Sequence, residues 1–408
     1  MVKVLAFLLL VAVRLPGQAF FTYVGQIESR SALIAWGSTG RTGNTIGRNS
    51  TSQGKAKLKI ANRTAETDRN WVVVTDLQPD TEYAYELSIN DKKMGEGKVR
   101  TYPEKASKLC FFVLGDFGTG TDGEFKIAEA MWNEFQKRAG SDNPPRFILT
   151  TGDNVYADVN IGFAAARSGD EDAHWESKFF KPFEPLIRSI PFYPTLGNHD
   201  GNSTENRGDL PVYLDNFFFP GNKPARWYTF SYGGLAQFFA LDSTDNTEEG
   251  SKHKAYRRDG EQFRWLQQAM AESKAPWKIP YFHHPLFNAG PRHPDSYGDL
   301  RHFVELFQRS GVKVIFNGHE HNFQMSEQSD ATGNMRDFIS GAGGELRTGD
   351  VKRKMRSAHI EGWSAQRHFL VVEIVDKTMK VTPLSNEPMV VLDRDNRQIS
   401  MPVTVTLR

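Results

Sequence analysis

Five short polar blocks, each placed directly after an apolar run, constrain this chain of 408 residues more than any other feature. In chain order they are Gly115-Asp116-Phe117-Gly118, Gly152-Asp153-Asn154-Val155-Tyr156, Gly197-Asn198-His199-Asp200, His283-His284-Pro285 and Gly318-His319-Glu320-His321. Their first non-glycine residues lie 36 to 85 residues apart, whereas the ligands of a zinc finger lie close together in sequence. Because side chains that follow strand ends meet at one rim of an α/β sheet, the blocks predict one shared site.

The residue types in these blocks suit two adjacent metal ions. They supply carboxylates, one phenol, two side-chain amides and imidazoles, and eight of the 11 histidines fall between His199 and His321. A glycine stands before the first polar residue in four of the five blocks. We expect it to let the backbone turn sharply off the strand and approach a metal closely. The glycines between residues 341 and 344 predict another loop near the same rim.

The hydrophobic pattern changes near residue 104 and predicts two domains. Residues 20–103 show polar and apolar alternation and predict an N-terminal β-sandwich. Residues 107–385 alternate apolar runs with amphipathic segments and predict a layered α/β domain. Residues 386–408 form a C-terminal extension that is expected to add edge strands. Helices are expected near residues 124–139, 260–273 and 300–310, and strands at residues 109–114, 147–150, 238–241, 278–282, 312–316 and 338–339.

The net charge argues against nucleic acid and acidic membranes as partners, and the cysteine count limits the possible cross-links. The formal net charge of +1 gives no overall field that would attract nucleic acid or an acidic membrane. The basic run Lys352-Arg353-Lys354-Met355-Arg356 is interpreted as a solvated loop in preference to a substrate-steering patch. Cys110 is the one cysteine, so an intramolecular disulfide is excluded, and its apolar surroundings predict a buried thiol. The sequence does not indicate an oligomeric state.

Residues 1–19 have the pattern of a secretory signal. Lys3 supplies a positive start, residues 4–13 are apolar, and Gly17-Gln18-Ala19 offers a cleavage site of small residues. The apolar stretch is shorter than the roughly 20 residues that a membrane helix needs, and no later segment is apolar for long enough. We therefore expect a secreted or periplasmic protein without a stable membrane span.

One string in the N-terminal part resembles a specific fold. Leu77-Gln78-Pro79-Asp80-Thr81-Glu82-Tyr83 is similar to the corner of fibronectin type III domains, where a tyrosine hydroxyl bonds back to upstream backbone. Arg100-Thr101-Tyr102-Pro103 resembles the last strand of such a domain. The resemblance implies a fibronectin type III-like β-sandwich and names no activity.

The ordered set of polar blocks resembles the calcineurin-like metallophosphoesterases, from Leu109 to the strand near residues 369–375. Tyr156, three residues after Asp153, narrows the resemblance to the purple acid phosphatases. The family implies two metal ions, Fe3+ and one divalent ion (Zn2+, Fe2+ or Mn2+). Fe3+ would be bound by Asp116, Asp153, Tyr156 and His321, and the divalent ion by Asp153, Asn198, His283 and His319, with Asp153 bridging the pair.

Residues around the metals receive roles from the same resemblance. His199 matches the imidazole that contacts phosphate, and His293 lies near the position that helps to protonate the leaving group. Asp200 is expected to orient His199. His284 either supports the substrate site or packs beside it. Glu320 faces either the substrate or solvent.

The function that the resemblance implies is hydrolysis of small phosphate monoesters at acid pH by a metal-bound hydroxide. A phosphodiesterase or phospholipase of the same superfamily stays open, because residues 155–175 and 287–298 set the width of the cleft and their sequence does not decide it. A non-catalytic binding protein with a relic phosphatase domain is the third interpretation. The complete set of ligand types favours an enzyme.

Overall fold

The computed structural model describes residues 19–39, 46–156, 172–200, 210–244, 256–293 and 300–407. The predicted signal segment therefore lies outside the described residues, apart from Ala19. Residues 157–171 and 294–299 are also outside them, so each of the two predicted cleft loops is described only in part. Among the described residues, no helix combines the length and apolarity needed to cross a membrane.

Two antiparallel sheets contain the N-terminal strands. The strands are β1 (Ala19–Ile27), β2 (Ala32–Thr39), β3 (Thr51–Ile60), β4 (Arg63–Arg69), β5 (Trp71–Val74), β6 (Glu82–Ile89) and β7 (Lys92–Arg100). One sheet has the order β1-β2-β5 and the other the order β4-β3-β6-β7. Val24 and Ile34 of the first sheet and Leu58 and Leu87 of the second are buried in one apolar core. The period-2 pattern of the sequence matches alternating burial in β6, whereas β2 is buried along its whole length.

The predicted corner at Tyr83 is present. Its hydroxyl accepts a hydrogen bond from the backbone N–H of Gln78 at 2.8 Å. This bond ties the start of β6 to the turn before it, and the sequence-based expectation of a tyrosine bonded to upstream backbone is confirmed.

The remaining strands form two mixed sheets. Their strands are β8 (Lys108–Leu114), β9 (Pro145–Thr150), β10 (Phe192–Tyr193), β11 (Tyr228–Tyr232), β12 (Ala236–Ala240), β13 (Trp277–Tyr281), β14 (Val314–Asn317), β15 (Phe323–Ser326), β16 (Arg336–Ser340), β17 (Ile360–Ser364), β18 (Phe369–Val375), β19 (Thr378–Leu384) and β20 (Val403–Thr406). One sheet has the order β10-β9-β8-β18-β19-β20, and the other β11-β12-β13-β14-β16-β15-β17. In the first, β8, β9 and β10 are parallel, and in the second, β12, β13, β14 and β16 are parallel. All six predicted strands are present, and β20 adds an edge strand to β19, as expected for the C-terminal extension.

Helices lie between these strands. They are α1 (Asp122–Ala139), α2 (Asp172–Trp175), continued by a π-helical turn (Glu176–Phe180), α3 (Glu184–Ile187), α4 (Leu210–Asn216), α5 (Glu261–Glu272), α6 (His302–Arg309) and α7 (Lys352–Met355), with 3-10 turns at Pro220–Asn222 and Asp330–Thr332. The three predicted helices, α1, α5 and α6, match within two residues at each end. The basic run was expected in a loop and instead forms α7, because Val351 and Met355 are buried and anchor one turn. Arg353 and Arg356 are exposed, as expected.

Aromatic side chains fill the space between the two mixed sheets. The ring of Phe238 lies 5.3 Å from that of Phe111 and 5.2 Å from that of Phe147, both edge-on. Burying each such ring contributes roughly 1.5–3 kcal/mol. Cys110 is fully buried beside them, and burial raises the pKa of its thiol to about 12, so the prediction of a buried thiol is confirmed.

The core continues from the N-terminal sheets into the mixed sheets. The hydroxyls of Tyr102 and Tyr193 lie 3.0 Å apart, and Arg146 donates to the carbonyl oxygen of Thr101 at 2.5 Å. Buried residues of both parts belong to one apolar cluster. The N-terminal sheets are therefore packed onto the α/β part through a buried contact.

Asp337 in β16 is a buried carboxyl group with few partners. One oxygen accepts a hydrogen bond from the backbone N–H of Leu286 at 3.2 Å, and the other has no partner among the described residues. Burial raises the pKa of Asp337 to about 8. The folded protein therefore holds a proton there that the unfolded chain releases at much lower pH.

Replacing Asp337 by Asn is expected to change how stability depends on pH. Between the ordinary aspartate pKa of 3.8 and about 8 the folded wild type binds more protons than the unfolded chain, so its stability falls as pH rises through this window. The free energy of unfolding of Asp337→Asn minus that of wild type should increase by up to about 4 kcal/mol from pH 5 to pH 8. Urea denaturation at both pH values measures this gain. Asp395→Asn, at an exposed position, is the control, and an equal pH dependence for Asp337→Asn and wild type would contradict the assignment.

Candidate metal centre

The predicted ligands follow the carboxyl ends of five strands. Asp116 comes after β8, Asp153 after β9, Asn198 after β10, His283 after β13, and His319 and His321 after β14. These loops meet at one place, because the backbone N–H of His319 donates to Asp116 Oδ2 at 2.8 Å and that of His199 to Asp153 Oδ1 at 2.8 Å. The structure thus brings together the residues that the sequence proposed as one site.

The first group of ligand atoms is rich in oxygen. Tyr156 Oη lies 3.0 Å from Asp153 Oδ2, 3.3 Å from Asp116 Oδ1 and 3.2 Å from His321 Nε2. Asp116, Asp153 and His321 offer ligand atoms that all lie within 4.8 Å of one another, and all three side chains are buried. This arrangement can hold a metal ion.

The second group is rich in imidazole. His283 Nε2 lies 3.0 Å from Asn198 Oδ1, 3.1 Å from His319 Nδ1 and 3.5 Å from Asp153 Oδ2. Asp153 Oδ2 is therefore close to both groups, which is the position of a bridging carboxylate. His283, His284 and His319 also form a buried set with ligand atoms within 4.8 Å of one another.

The proton on His283 decides whether these residues fit a cation. Its Nδ1 lies 2.8 Å from the carbonyl oxygen of Thr151, which can only accept, so Nδ1 carries the hydrogen. Burial lowers the pKa of His283, so the ring is neutral and Nε2 presents a lone pair. That lone pair faces the Asn198 amide oxygen and the Asp153 carboxylate. Electron pairs turned towards one another repel unless a cation lies between them, so the donor set fits a metal ion.

The two carboxylates show the same need for positive charge. Burial, with the nearby charge of Asp153, raises the pKa of Asp116 well above its ordinary value. Burial would also raise the pKa of Asp153, and it is positive charge at the neighbouring positions of His283 and His199 that brings this pKa down to about 2. Two buried acids this close together are both ionised only when cations compensate them.

The backbone at three ligands is left-handed. The φ angles are 54° at Asp116, 51° at Asp153 and 71° at His319, a conformation that costs roughly 1–3 kcal/mol in non-glycine residues. At Asp116 and His319 the ligand residue itself makes the turn off the strand. The sequence-based explanation, which assigned this turn to the preceding glycine, holds at Gly152, with φ of 90°.

Two other glycines are required by close packing. A Cβ atom on Gly197 would lie 2.2 Å from the backbone N and from Oδ1 of Asp153, and one on Gly318 would lie 2.5 Å from Asp116 Oδ2. These loops touch the ligands through bare backbone. Glycine is needed here because a side chain would displace a carboxylate.

Asp200 differs from its predicted role. Its carboxylate accepts hydrogen bonds at 2.8 Å from the backbone N–H groups of Asn154 and Gly197 and from the Asn154 side-chain amide. The prediction that it orients the ring of His199 is wrong, because both oxygens hold the two loops together. The ring of His199 lies against that of Tyr156, with centroids 4.8 Å apart.

Glu320 also differs from both of its predicted positions. It is fully buried and faces neither the substrate cleft nor solvent. Its carboxylate lies 3.1 Å from the backbone N and from Nδ1 of His293, and 3.3 Å from Nη1 of Arg347. Burial alone would raise the pKa of Glu320, but His293 and Arg347 lower it to about 2. Its location fixes His293, whose ring stacks on His319 at 3.8 Å.

His284 belongs to the imidazole cluster. Its ring centroid is 4.4 Å from that of His319 and 4.9 Å from that of His283, and Nδ1 lies 3.0 Å from Ser243 Oγ. Burial lowers its pKa well below the ordinary value, so the ring is neutral. The structure thus places His284 beside the candidate ligands.

Three residues that hold the site were missed in the sequence. Thr151 fixes the tautomer of His283, Asn154 joins two loops, and Arg347 contacts His293 and Glu320. For Arg347, the sequence offers one clue, which is that it follows the glycine loop expected near the rim. That loop does reach the site, because the backbone N–H of Gly344 donates to the carbonyl oxygen of Asp116 at 3.0 Å. The contact of Thr151 uses its backbone carbonyl oxygen, which every residue type has, so the sequence cannot indicate it.

Comparisons with known proteins agree with this geometry. Residues 109–323 match the family model for calcineurin-like phosphoesterases. The chain is 23% identical to purple acid phosphatase 15 of Arabidopsis thaliana, over 63% of this chain and 49% of that protein. It is 26% identical to the probable inactive purple acid phosphatase 27 of the same plant, over 65% of this chain and 46% of that protein. The chain spans about half the length of these two curated relatives.

A solved structure extends the likeness to the fold. The purple acid phosphatase PPD1 from yellow lupin seeds superposes with a TM-score of 0.66, covering 95% of this chain and 74% of that one at 15% identity. At this identity the likeness concerns the fold alone.

Replacing Gly197 by Ala is expected to disrupt the metal centre. The added Cβ would overlap Asp153, the residue shared by both ligand groups, and neither backbone can move without shifting a ligand. We expect metal affinity to fall at least about tenfold, measured by metal content after dialysis against a graded chelator. Gly140→Ala is the matched control, since nothing lies within 4 Å of its Cβ position. Equal metal content in both variants would contradict the packing argument.

Proposed function

Because the chain belongs to the calcineurin-like phosphoesterase family, we propose that it is an exported dimetal acid phosphatase that hydrolyses small phosphate monoesters. One observation carries the proposal: Asp153 Oδ2 is shared between an oxygen-rich group and an imidazole-rich group of buried ligand atoms. Hydrolases with two metal ions hold them roughly 3.5–4 Å apart, and a carboxylate oxygen shared by two groups of ligand atoms suits that spacing.

The chemistry of each group supports a different metal. Asp116, Asp153, Tyr156 and His321 would hold Fe3+, because carboxylate and phenolate oxygens suit a hard trivalent ion. Asp153, Asn198, His283 and His319 would hold a divalent ion, since imidazoles and an amide oxygen suit Zn2+, Fe2+ or Mn2+. When bound, such a pair neutralises the phosphoryl charge and lowers the pKa of a water nucleophile.

The chain's own residues bind and orient the substrate around that pair. His199 is partly exposed beside Tyr156, and in this proposal it would donate to a phosphoryl oxygen. His293 is held by Glu320 and stacked on His319, and in this proposal it would assist the leaving group. Asp200 keeps the loops of Asp153 and Asn198 in register, so that the two ligands keep their separation.

A non-catalytic protein is the alternative to separate first, because one relative is described as a probable inactive phosphatase. The complete and converging ligand set of this chain argues for catalysis. Release of phosphate from p-nitrophenyl phosphate by the protein loaded with iron and zinc, measured between pH 4 and pH 8, tests the proposal. Two bound metals without turnover of this ester or of bis(p-nitrophenyl) phosphate would favour the non-catalytic interpretation, and turnover of the diester alone would favour a diesterase.

The N-terminal sheets are proposed to be a fibronectin type III-like β-sandwich spanning residues 20–103. The strand orders β1-β2-β5 and β4-β3-β6-β7, their common core and the Tyr83 hydrogen bond support it. Residues 107–385 would form the catalytic domain and residues 386–408 its extension. Export is proposed on the pattern of residues 1–19 in the sequence.

Replacing Tyr156 by Phe is expected to remove a visible absorption band while appreciable hydrolysis remains. The phenolate would be the one charge-transfer ligand to Fe3+, whereas the carboxylates and imidazoles would still hold the metals. Visible spectroscopy of the iron-loaded protein, beside its metal content, measures this. A variant that keeps both its iron and its colour would disprove the Tyr156 assignment.

Replacing Asp153 by Asn is expected to abolish both metal retention and turnover. The bridge carries its charge to both ions, and an amide supplies neither the charge nor two equivalent oxygens. We expect the loss in kcat/KM to exceed about 1,000-fold, alongside metal content below one ion per chain. Wild-type activity in this variant would refute the dimetal proposal.

A further inference from the structure

Arg347 is a cation at the edge of the metal centre that no predicted role covers. Its backbone N–H donates to the carbonyl oxygen of His321 at 2.7 Å, so its position is tied to a candidate ligand. The positive charge of its guanidinium acts electrostatically on both Asp116 and His321. The side chain is 18% exposed, whereas Glu320 beneath it is fully buried.

The contacts of the Arg347 guanidinium with its neighbours involve Nη1, so its other nitrogens keep hydrogen-bond donors that can bind a ligand. Nη1 lies 3.3 Å from Glu320 Oε1 and 3.1 Å from His293 Nδ1. Within the described part of the chain, Nε and Nη2 form no hydrogen bond. Glu345, two residues earlier, is 44% exposed and lies towards His321 Nδ1 at 4.0 Å, so it does not cover Arg347. The enclosed carboxylate fixes one edge of the guanidinium, and the other edge can bind an anion.

The contact with His293 places this free edge on one side of the site. His293 stacks on His319 and is the imidazole assigned to the leaving group in the proposed function. An anion bound by Arg347 would therefore belong to the leaving group and not to the phosphoryl group between the metals. A planar guanidinium binds carboxylate or phosphate through two parallel hydrogen bonds.

We infer that Arg347 is a specificity residue that binds an anionic group carried by the leaving group of the substrate. The inference rests on the proposed function and names its substrate class: phosphate monoesters whose alcohol or phenol bears a carboxylate or a second phosphate. In the reaction, the oxygen of water bonds to phosphorus as the bond to the ester oxygen breaks. The ester oxygen keeps the electron pair and takes a proton, so that phosphate and an anionic alcohol or phenol leave.

A matched set of aryl phosphates tests the inference. Phenyl phosphate, 3-carbamoylphenyl phosphate and 3-carboxyphenyl phosphate differ at one position, and the last two differ chiefly in charge. We expect wild type to show a kcat/KM about tenfold higher for the carboxylate than for the carboxamide. Arg347→Ala should bring this ratio close to one, mainly through KM, and Arg347→Lys should restore part of it. Arg353→Ala, at an exposed arginine of α7, is the control and should keep the wild-type ratio.

The outcomes distinguish a role of Arg347 in substrate specificity from a role in holding His293 in position. If Arg347→Ala lowers kcat/KM by the same factor for all three esters, Arg347 only holds His293 and the inference is overturned. A wild-type ratio near one would overturn it as well. If the metal-loaded protein hydrolysed none of the esters, the proposed function would fail separately. Binding of phenylphosphonate and 3-carboxyphenylphosphonate by calorimetry would then decide on Arg347, with tighter binding of the carboxylate in wild type alone as the supporting result.

Discussion

The structure depends on the convergence of buried electron-pair donors at one rim of two packed sheets. Carboxylate, phenol, amide and imidazole groups that would each prefer water are brought together within hydrogen-bond distance. Such a cluster is unfavourable without positive charge, because desolvated anions and opposed lone pairs repel. Metal ions that bound this rim only in the folded chain would therefore stabilise its fold.

Around this cluster, the structure resists rearrangement in two ways. The left-handed backbone at Asp116, Asp153 and His319 costs energy that the packed strands must compensate. Backbone groups without side chains, at Gly197 and Gly318, press directly on the carboxylates. The ligands keep their positions because their neighbours have little room to move, which is what pre-organises a metal site.

Beyond the candidate ligands, burial decides which charged side chains are exposed at the edge of the site. Glu320 lies in sequence between two histidines, a place that suggests an exposed acid facing the substrate or solvent. In the structure it is enclosed, and Arg347 and His293 lie above it. Under the proposed function, a substrate at this edge would therefore meet Arg347 and His293 and not Glu320. The sequence left Glu320 facing either the substrate or solvent, and the structure shows neither, because a residue between two ligands can point away from both.

The sequence by itself determined the set of candidate ligands, the order of the loops, the helices α1, α5 and α6 and the tyrosine corner. These follow from local patterns: apolar periodicity, a glycine before a polar residue, and a tyrosine at a fixed distance from a turn. Only the tertiary structure decided which partner each polar group faces. Asp200 holds loops and not His199, Glu320 is buried, Thr151 sets the proton on His283, and Arg347 joins the site from a loop 26 residues beyond His321. Such contacts depend on segments distant in sequence that meet only when the sheets pack, and hydrogen bonds through backbone atoms carry no signature in the residue type.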